Sequence, residues 1–335
     1  MGITDRARLR IGIATVASGA LAATAAIALA GSAGAATAGA AAAAAPSAGY
    51  QFVTLGSHHD RTFNQLLGIN NNGVIAGYFG SGNAGHPNKG YTIRSPYSQG
   101  NIAGENFPGS KQTQVTGLND SGVTVGFFST QNNATPADDN NFGWYNRGGH
   151  FHEVNFPTGT PAKPPVDQLL GVNNHDVAVG FFVNSSGVAR GYTYNINTKK
   201  FGRVQAPGAG LGPSLTAAGI NNRGDVAGFY NKTASLVDGF VKIGSGFITL
   251  QVKGATMTQA FGVNDSDWVV GTYTVSGGAT HGFIWKPGHG FTLGIDDPNG
   301  VGTTVLNGIN NENDIVGFYT DSAGNTDGLV GFPGF

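Results

Sequence analysis

The sequence has no cysteine, two methionines and few charges, with 18 basic and 19 acidic side chains in 335 residues. Without cysteine, disulfide frameworks and thiolate metal sites are excluded, and the fold must rest on packing and hydrogen bonding. Charge stands at 11%, under half the usual ~25%. A formal net charge of −1 argues against a nucleic-acid partner, because neutralising phosphates takes a basic face. Helical periodicity is lacking too. What abounds is glycine, with 56 residues, and at ~1 kcal/mol per helical position it disfavours bundles and coiled coils. The 40% hydrophobic share still supplies a packed core.

The first fifty residues form a separate object. Arg6, Arg8 and Arg10 precede an uncharged apolar stretch from Ile11 to Ala30. Small residues follow, Ala33-Gly34-Ala35 and Ala36-Thr37-Ala38, which suit a signal peptidase. The stretch is long enough to span a bilayer, but its Ala, Gly and Thr insert weakly and the small-residue run favours cleavage. The expectation is a secretory signal over 1–38, an Ala-rich linker over 39–49, and a secreted chain with no membrane attachment after cleavage. The signal removes Asp5 and three arginines, and the remaining acids are expected to be spread evenly.

The rest repeats one unit six times. A Gly-aliphatic-Asn string occurs at Gly68, Gly117, Gly171, Gly219, Gly262 and Gly308, at spacings of 43 to 54 residues. A second glycine follows each Asn by seven positions: Gly77, Gly126, Gly180, Gly228, Gly271 and Gly317. Two residues further there is always an aromatic, and a third glycine comes after a variable gap, from Gly90 to Gly328. Each unit reads as four short strands. The Asn opens a four-residue turn whose last position is only Gly, Asp or Asn, the residues that tolerate positive φ. Calcium would need several carboxylates, and most copies have one acid or none, so no metal and no cofactor is expected.

Four-stranded units in six copies specify an all-β, six-bladed β-propeller. The repeats fall near 60–109, 110–157, 163–208, 212–254, 256–298 and 302–335. The sixth lacks a fourth strand, whereas Gln51 to Leu55 precedes the first unit and resembles the fourth strand Gly246–Leu250. The N-terminal strand is therefore expected to complete the last blade and remove the exposed edge. The Gly-Ile-Asn turns, the Gly-Phe-Tyr strands and His281-Gly282-Phe283 resemble the HAF-repeat extracellular proteins over residues 52–332. The resemblance implies an exported bacterial β-propeller and no settled activity. The motif's histidine survives only at His281; its counterparts are Lys89, Phe142, Arg190, Asp238 and Asp327.

Length variation points to one face. The first-to-second turn is constant and the third-to-fourth is expected to vary little. The second-to-third loops, such as Ser129 to Asn141, and the links between blades, such as Pro157–Pro165 and Pro207–Pro213, vary strongly. Both variable sets belong to one face of the ring, where function can reside. The residues opening the first strands would form a polar collar there: Gln65, Gln114, Gln168, Thr216 and Gln259, with Asp167 beside them. Such a collar suits a neutral, hydroxyl-rich ligand, or else Gln and Thr merely bond the neighbouring blade. His58, His59, Asp167 and Glu105 are the weak candidates for acid-base chemistry. His150 and His152 read as outer-strand surface, and Trp144, Trp268 and Trp285 as core. The reading is a secreted, monomeric propeller binding an extracellular carbohydrate or a cell-envelope partner. The alternatives are a polysaccharide or small-molecule lyase or hydrolase at the same mouth, and a protein-interaction scaffold.

Overall fold

The computed structural model describes residues 49–83, 85–132, 139–206 and 214–334. The expected signal, nearly all of the linker, part of the Ser129–Asn141 loop and the Pro207–Pro213 link lie outside the described residues. The described residues hold twenty-four strands, arranged as six antiparallel blades. Blade 1 holds β2 (Asn64–Ile69), β3 (Ile75–Phe79), β4 (Lys89–Ile93) and β5 (Ile102–Gly104). Blade 2 holds β6 (Gln112–Leu118), β7 (Thr124–Ser129), β8 (Phe142–Arg147) and β9 (His150–Val154). Blade 3 holds β10 (Asp167–Val172), β11 (Val177–Val183), β12 (Ala189–Asn195) and β13 (Lys200–Val204), and blade 4 β14 (Leu215–Ile220), β15 (Val226–Asn231), β16 (Val237–Ile243) and β17 (Gly246–Leu250). Blade 5 holds β18 (Ala255–Val263), β19 (Val269–Val275), β20 (Thr280–Lys286) and β21 (Gly290–Leu293). Blade 6 holds β22 (Thr304–Ile309), β23 (Ile315–Thr320) and β24 (Thr326–Pro333), completed by β1 (Tyr50–Leu55). β1 pairs antiparallel with β24 from Tyr50 opposite Pro333 to Leu55 opposite Gly328. The N-terminal strand thus closes the ring, as its sequence suggests.

The invariant glycines mark close approaches. Each first strand bulges just before its motif glycine, between Val115 and Gly117 in blade 2. That bulge pushes a carbonyl towards the second strand. A Cβ at Gly126 would lie 2.0 Å from the Gln114 carbonyl oxygen, and one at Gly180 would lie 1.9 Å from that of Gln168. The motif glycines themselves face one another round the axis: a Cβ on Gly117 would meet the Gly171 Cα at 2.9 Å.

The turn residues explain the conserved asparagines. The fourth turn position has positive φ in every copy, from 57° at Asp176 to 82° at Gly122 and Gly224. The first Asn uses its Oδ1 to cap its own turn, as Asn119 does for the Ser121 and Val123 amides at 3.1 and 2.9 Å. Its Nδ2 crosses to the carbonyl of the same Asn in the next blade. These bonds run from 70 to 119, 173, 221, 264 and 310, at 2.9 to 3.1 Å, and return to Asn70 at 3.5 Å. The second turn residue adds a belt of its own. Its amide donates to the side-chain oxygen of its counterpart, from 71 through 120, 174, 222, 265 and 311 back to 71, at 2.8 to 2.9 Å.

One connection departs from expectation. The third-to-fourth turn of blade 1 spans 94–101 and contains a short 3-10 turn at Gln99–Asn101, unlike the tight turns of the other blades.

Candidate functional site

Strand alternation places the second-to-third loops and the interblade links together at one end of the ring, opposite the two belts. On the belt side, Leu67, Thr116, Leu170, Ala218, Phe261 and Asn307 line an axial cavity of about 80 Å³. Towards the variable face the axis is filled with hydrocarbon. Leu170, Ala218, Phe261 and Val305 pack with Phe127, Phe181, Phe229 and Phe318 in one buried cluster drawn from five blades.

The expected collar sits within this filling rather than at an open rim. Gln65 and Gln168 are fully buried, Thr216 and Gln259 nearly so, and Gln114 is half-buried. Gln65 accepts the Tyr78 hydroxyl at 2.8 Å. Gln114 and Gln168 donate to Asn88 and Asn141, which precede the third strand of the blade before, at 3.2 and 2.5 Å. Side chains of intermediate length on consecutive blades therefore stitch those blades together. The amide oxygens of Gln114 and Gln168 and both amide atoms of Gln259 have no protein partner.

The position one before the collar is a second fastening. The Thr113, Asp167, Thr258 and Thr304 side chains accept the amides of Phe107, Phe156, Val252 and Asp297, which lie in the incoming link, at 2.6 to 3.3 Å. Asn64 reaches the Leu55 carbonyl instead, at 2.6 Å. Asp167 also accepts the Tyr192 hydroxyl at 2.5 Å. Burial raises its carboxyl to about 7 despite the hydrogen bonds from Tyr192 and Phe156, with Glu153 adding to the rise.

Of the four ionisable candidates only the neighbours His58 and His59 meet, their rings 3.9 Å apart. His58 pairs with Gln99 at 2.7 Å, and the His59 ring stacks on Phe79 at 5.1 Å. Glu105 accepts from Thr124, and from Asn146 at 2.8 Å. No hydrogen bond or ion pair joins any two of Asp167, His58, His59 and Glu105 among the described residues. His150 and His152 are exposed on β9, where His152 stacks on Tyr145 at 4.6 Å. Trp144 and Trp285 are buried and Trp268 partly so. Among the described residues no group of three or more His, Asp or Glu is placed to hold a metal ion.

Charge is not spread evenly, contrary to the sequence expectation. Beyond residue 254 stand Asp265, Asp267, Asp296, Asp297, Glu312, Asp314, Asp321 and Asp327 against Lys286 alone. All other basic side chains after the expected signal lie in blades 1 to 4 and their links. A count by blade, rather than over the whole chain, exposes this asymmetry in the sequence itself.

Fold and loop placement define a six-bladed β-propeller with one locked and one variable face. No protein-family profile and no curated protein matches the chain. Solved structures do. A protein of unknown function from Dyadobacter fermentans is 9% identical, with a TM-score of 0.53 over 85% of this chain and 100% of that one. The SapL1 lectin, solved with α-methyl fucoside, is 13% identical, with a TM-score of 0.51 over 78% and 89%. The six-bladed lectin of Aleuria aurantia is 13% identical, with a TM-score of 0.44 over 71% and 81%. At such identities the likeness is one of fold.

Proposed function

We propose that the protein is an exported propeller that binds an extracellular carbohydrate on its variable-loop face. The observation that carries this reading is the division of labour between the two ends of the ring. Every first turn residue on one face is committed to its own turn and to the next blade. The other face gathers the loops of differing length and sequence, which is where ligand recognition can vary without disturbing the frame. The N-terminal arginines and apolar stretch support export. The SapL1 propeller, solved with a methyl fucoside, supports a sugar as the ligand class over a protein partner. Asp167, Glu105 and the neighbouring His58 and His59 form no hydrogen bond or ion pair with one another. The face does hold two imidazole–carboxylate pairs, His86 with Asp60 and His281 with Asp296, each at 2.7 Å, which keeps cleavage as the second reading.

A glycan array probed with the secreted chain tests the reading. Binding to a defined subset of glycans is expected, weakened by Arg190→Ala or Asp327→Asn on the variable face and kept by Asn72→Ala at the exposed turn face. An array without binding, or binding lost only through the turn-face change, would overturn it.

A further inference from the structure

Asp297, Thr304, Tyr319 and Asp327 lie in a row across blade 6. The Asp297 amide donates to Thr304 Oγ1 at 3.3 Å. Thr304 stands directly opposite Tyr319, and Tyr319 opposite Asp327, so their side chains share one face of the sheet. The Tyr319 hydroxyl meets Thr54 Oγ1 on β1 at 2.8 Å. Asp321, two residues past Tyr319, enters from the second-to-third loop.

Among the described residues Asp297, Asp321 and Asp327 form no ion pair, whereas Asp296, next to Asp297, is paired with His281 Nδ1 at 2.7 Å. Asp297 is 2% exposed; one oxygen accepts the Asn299 amide at 2.9 Å, and the other is buried without a partner. The half-buried Asp327 side chain makes no hydrogen bond or ion pair among the described residues. Asp321 is satisfied by the Ala323 and Asn325 amides and the Asn325 side chain. Burial raises the carboxyl of Asp297. Burial, with Asp321 and Asp297 nearby, raises that of Asp327. The one lysine in blades 5 and 6, Lys286, has its ammonium 3.4 Å over the Trp268 ring.

Packing does not account for Asp297. The same link position holds Phe107, Phe156 and Val252 elsewhere; Phe156 stacks on Phe182, the counterpart of Tyr319, at 4.4 Å. A buried acid stands where other links carry Phe or Val, and the neighbouring side chains are acids too. Two carboxylates with spare acceptor capacity, flanked by hydroxyls and too dispersed to chelate a metal, suit a group that brings one positive charge and several N–H donors.

We infer that the mouth between blades 5 and 6 is a subsite for the protonated amino group of a glycan, that is, an amino sugar lacking its acetyl group. The inference rests on the carbohydrate reading above and narrows it.

Calorimetric titration with a glucosamine hexamer and an N-acetylglucosamine hexamer, near neutral pH and at low salt, tests it. The glucosamine hexamer should bind at least about tenfold tighter, since acetylation removes the charge. Asp327→Asn, at a half-exposed position, should abolish that preference, and so should Asp297→Asn combined with it, without lowering the melting temperature. Equal affinity for the two hexamers, or a preference that survives Asp327→Asn, would overturn the inference. So would calcium chloride raising the melting temperature of the wild type but not of Asp327→Asn, which would mark a metal site. If neither hexamer binds while neutral glycans on the array do, the subsite fails and the carbohydrate reading stands. If no glycan binds, both fall.

Discussion

The two faces of the ring use the same six units for opposite ends. On the turn face the copies are nearly interchangeable, because each Asn side chain satisfies its own turn and the next blade at once. A change in any one copy would break bonds in two blades. On the variable face the corresponding positions hold Phe156 in one link and Asp297 in another, or Arg190 and Asp327 at the start of third strands. Repetition is enforced where neighbours must bond one another and relaxed where they need not. The comparison implies that substitutions at the turn face should register as stability, and those at the variable face as binding.

The largest test removes the strand that completes blade 6. Deleting residues 50–55 exposes the edge of β24 and leaves blade 6 joined to blade 1 through contacts such as Asn311 with Asn71 at 2.9 Å. The melting temperature should fall by more than about 10 °C, with aggregation through the free edge. An unchanged melt would mean that the belts hold the ring shut without the strand.

Next in size is Gly126→Ala. The added methyl group would meet the Gln114 carbonyl at 2.0 Å and the Trp144 ring at 2.8 Å, both in the packed interior, so the strands must part. A loss of about 5 kcal/mol, or failure to fold, is expected. Gly122→Ala in the neighbouring turn meets no atom within 4 Å but keeps φ at 82°, and should cost about 1 kcal/mol. Chemical denaturation of both variants measures the difference, and similar losses would refute the close-approach account.

Asn119→Ala probes the belts directly. It removes the acceptor for two turn amides and for the Ser121 hydroxyl, and the donor to the Asn173 carbonyl and to Asp176 Oδ1. With Asn119 itself 2% exposed, the loss should be about 4 kcal/mol, while affinity for any bound glycan stays as it was. Reduced affinity at unchanged stability would reverse the assignment of the two faces.

Much of this was legible in the sequence because propeller grammar is local. Blade number, the positive-φ turn and the closing strand each follow from a residue's own neighbours in the chain. The belts were not, since the partner of Asn119 is Asn173, in the next copy, and a turn explains its Asn without that bond. The burial of the collar was not legible for a similar reason, although bonding to the neighbouring blade was one of its two sequence readings. Gln168 opens a first strand and reaches Asn141 of the blade before, yet whether the axis is open or filled depends on Leu170, Phe229 and Phe261 meeting there, and three blades supply them. Asp167 read as a lone acid at a mouth, while in the fold it does the work that Thr113 and Thr258 do elsewhere.

That substitution of an acid for a hydroxyl sets up the last prediction. Asp167 is raised from 3.8 to about 7, mainly by burial. Between those values the folded protein keeps a proton that the unfolded chain has released. The folded state binds more protons, so stability falls as pH rises from about 4 to about 7 and levels off beyond. Over that window the loss should be on the order of 3 kcal/mol. Asp167→Asn should flatten its share of the slope, with the Asn oxygen accepting the Tyr192 hydroxyl as Asn64 accepts that of Tyr91 at 2.7 Å. The amide cannot ionise, and it surrenders one acceptor, that for the Phe156 amide. Below about pH 4 the variant should therefore be slightly the less stable of the two, and near pH 7 the more stable. Asp297 and Asp327, raised in the same sense, titrate in both proteins and cancel in the difference. Urea denaturation at several pH values would show the two stability curves crossing; parallel curves would mean that Asp167 is ionised throughout and that its fastening of the Phe156 link is a charged one.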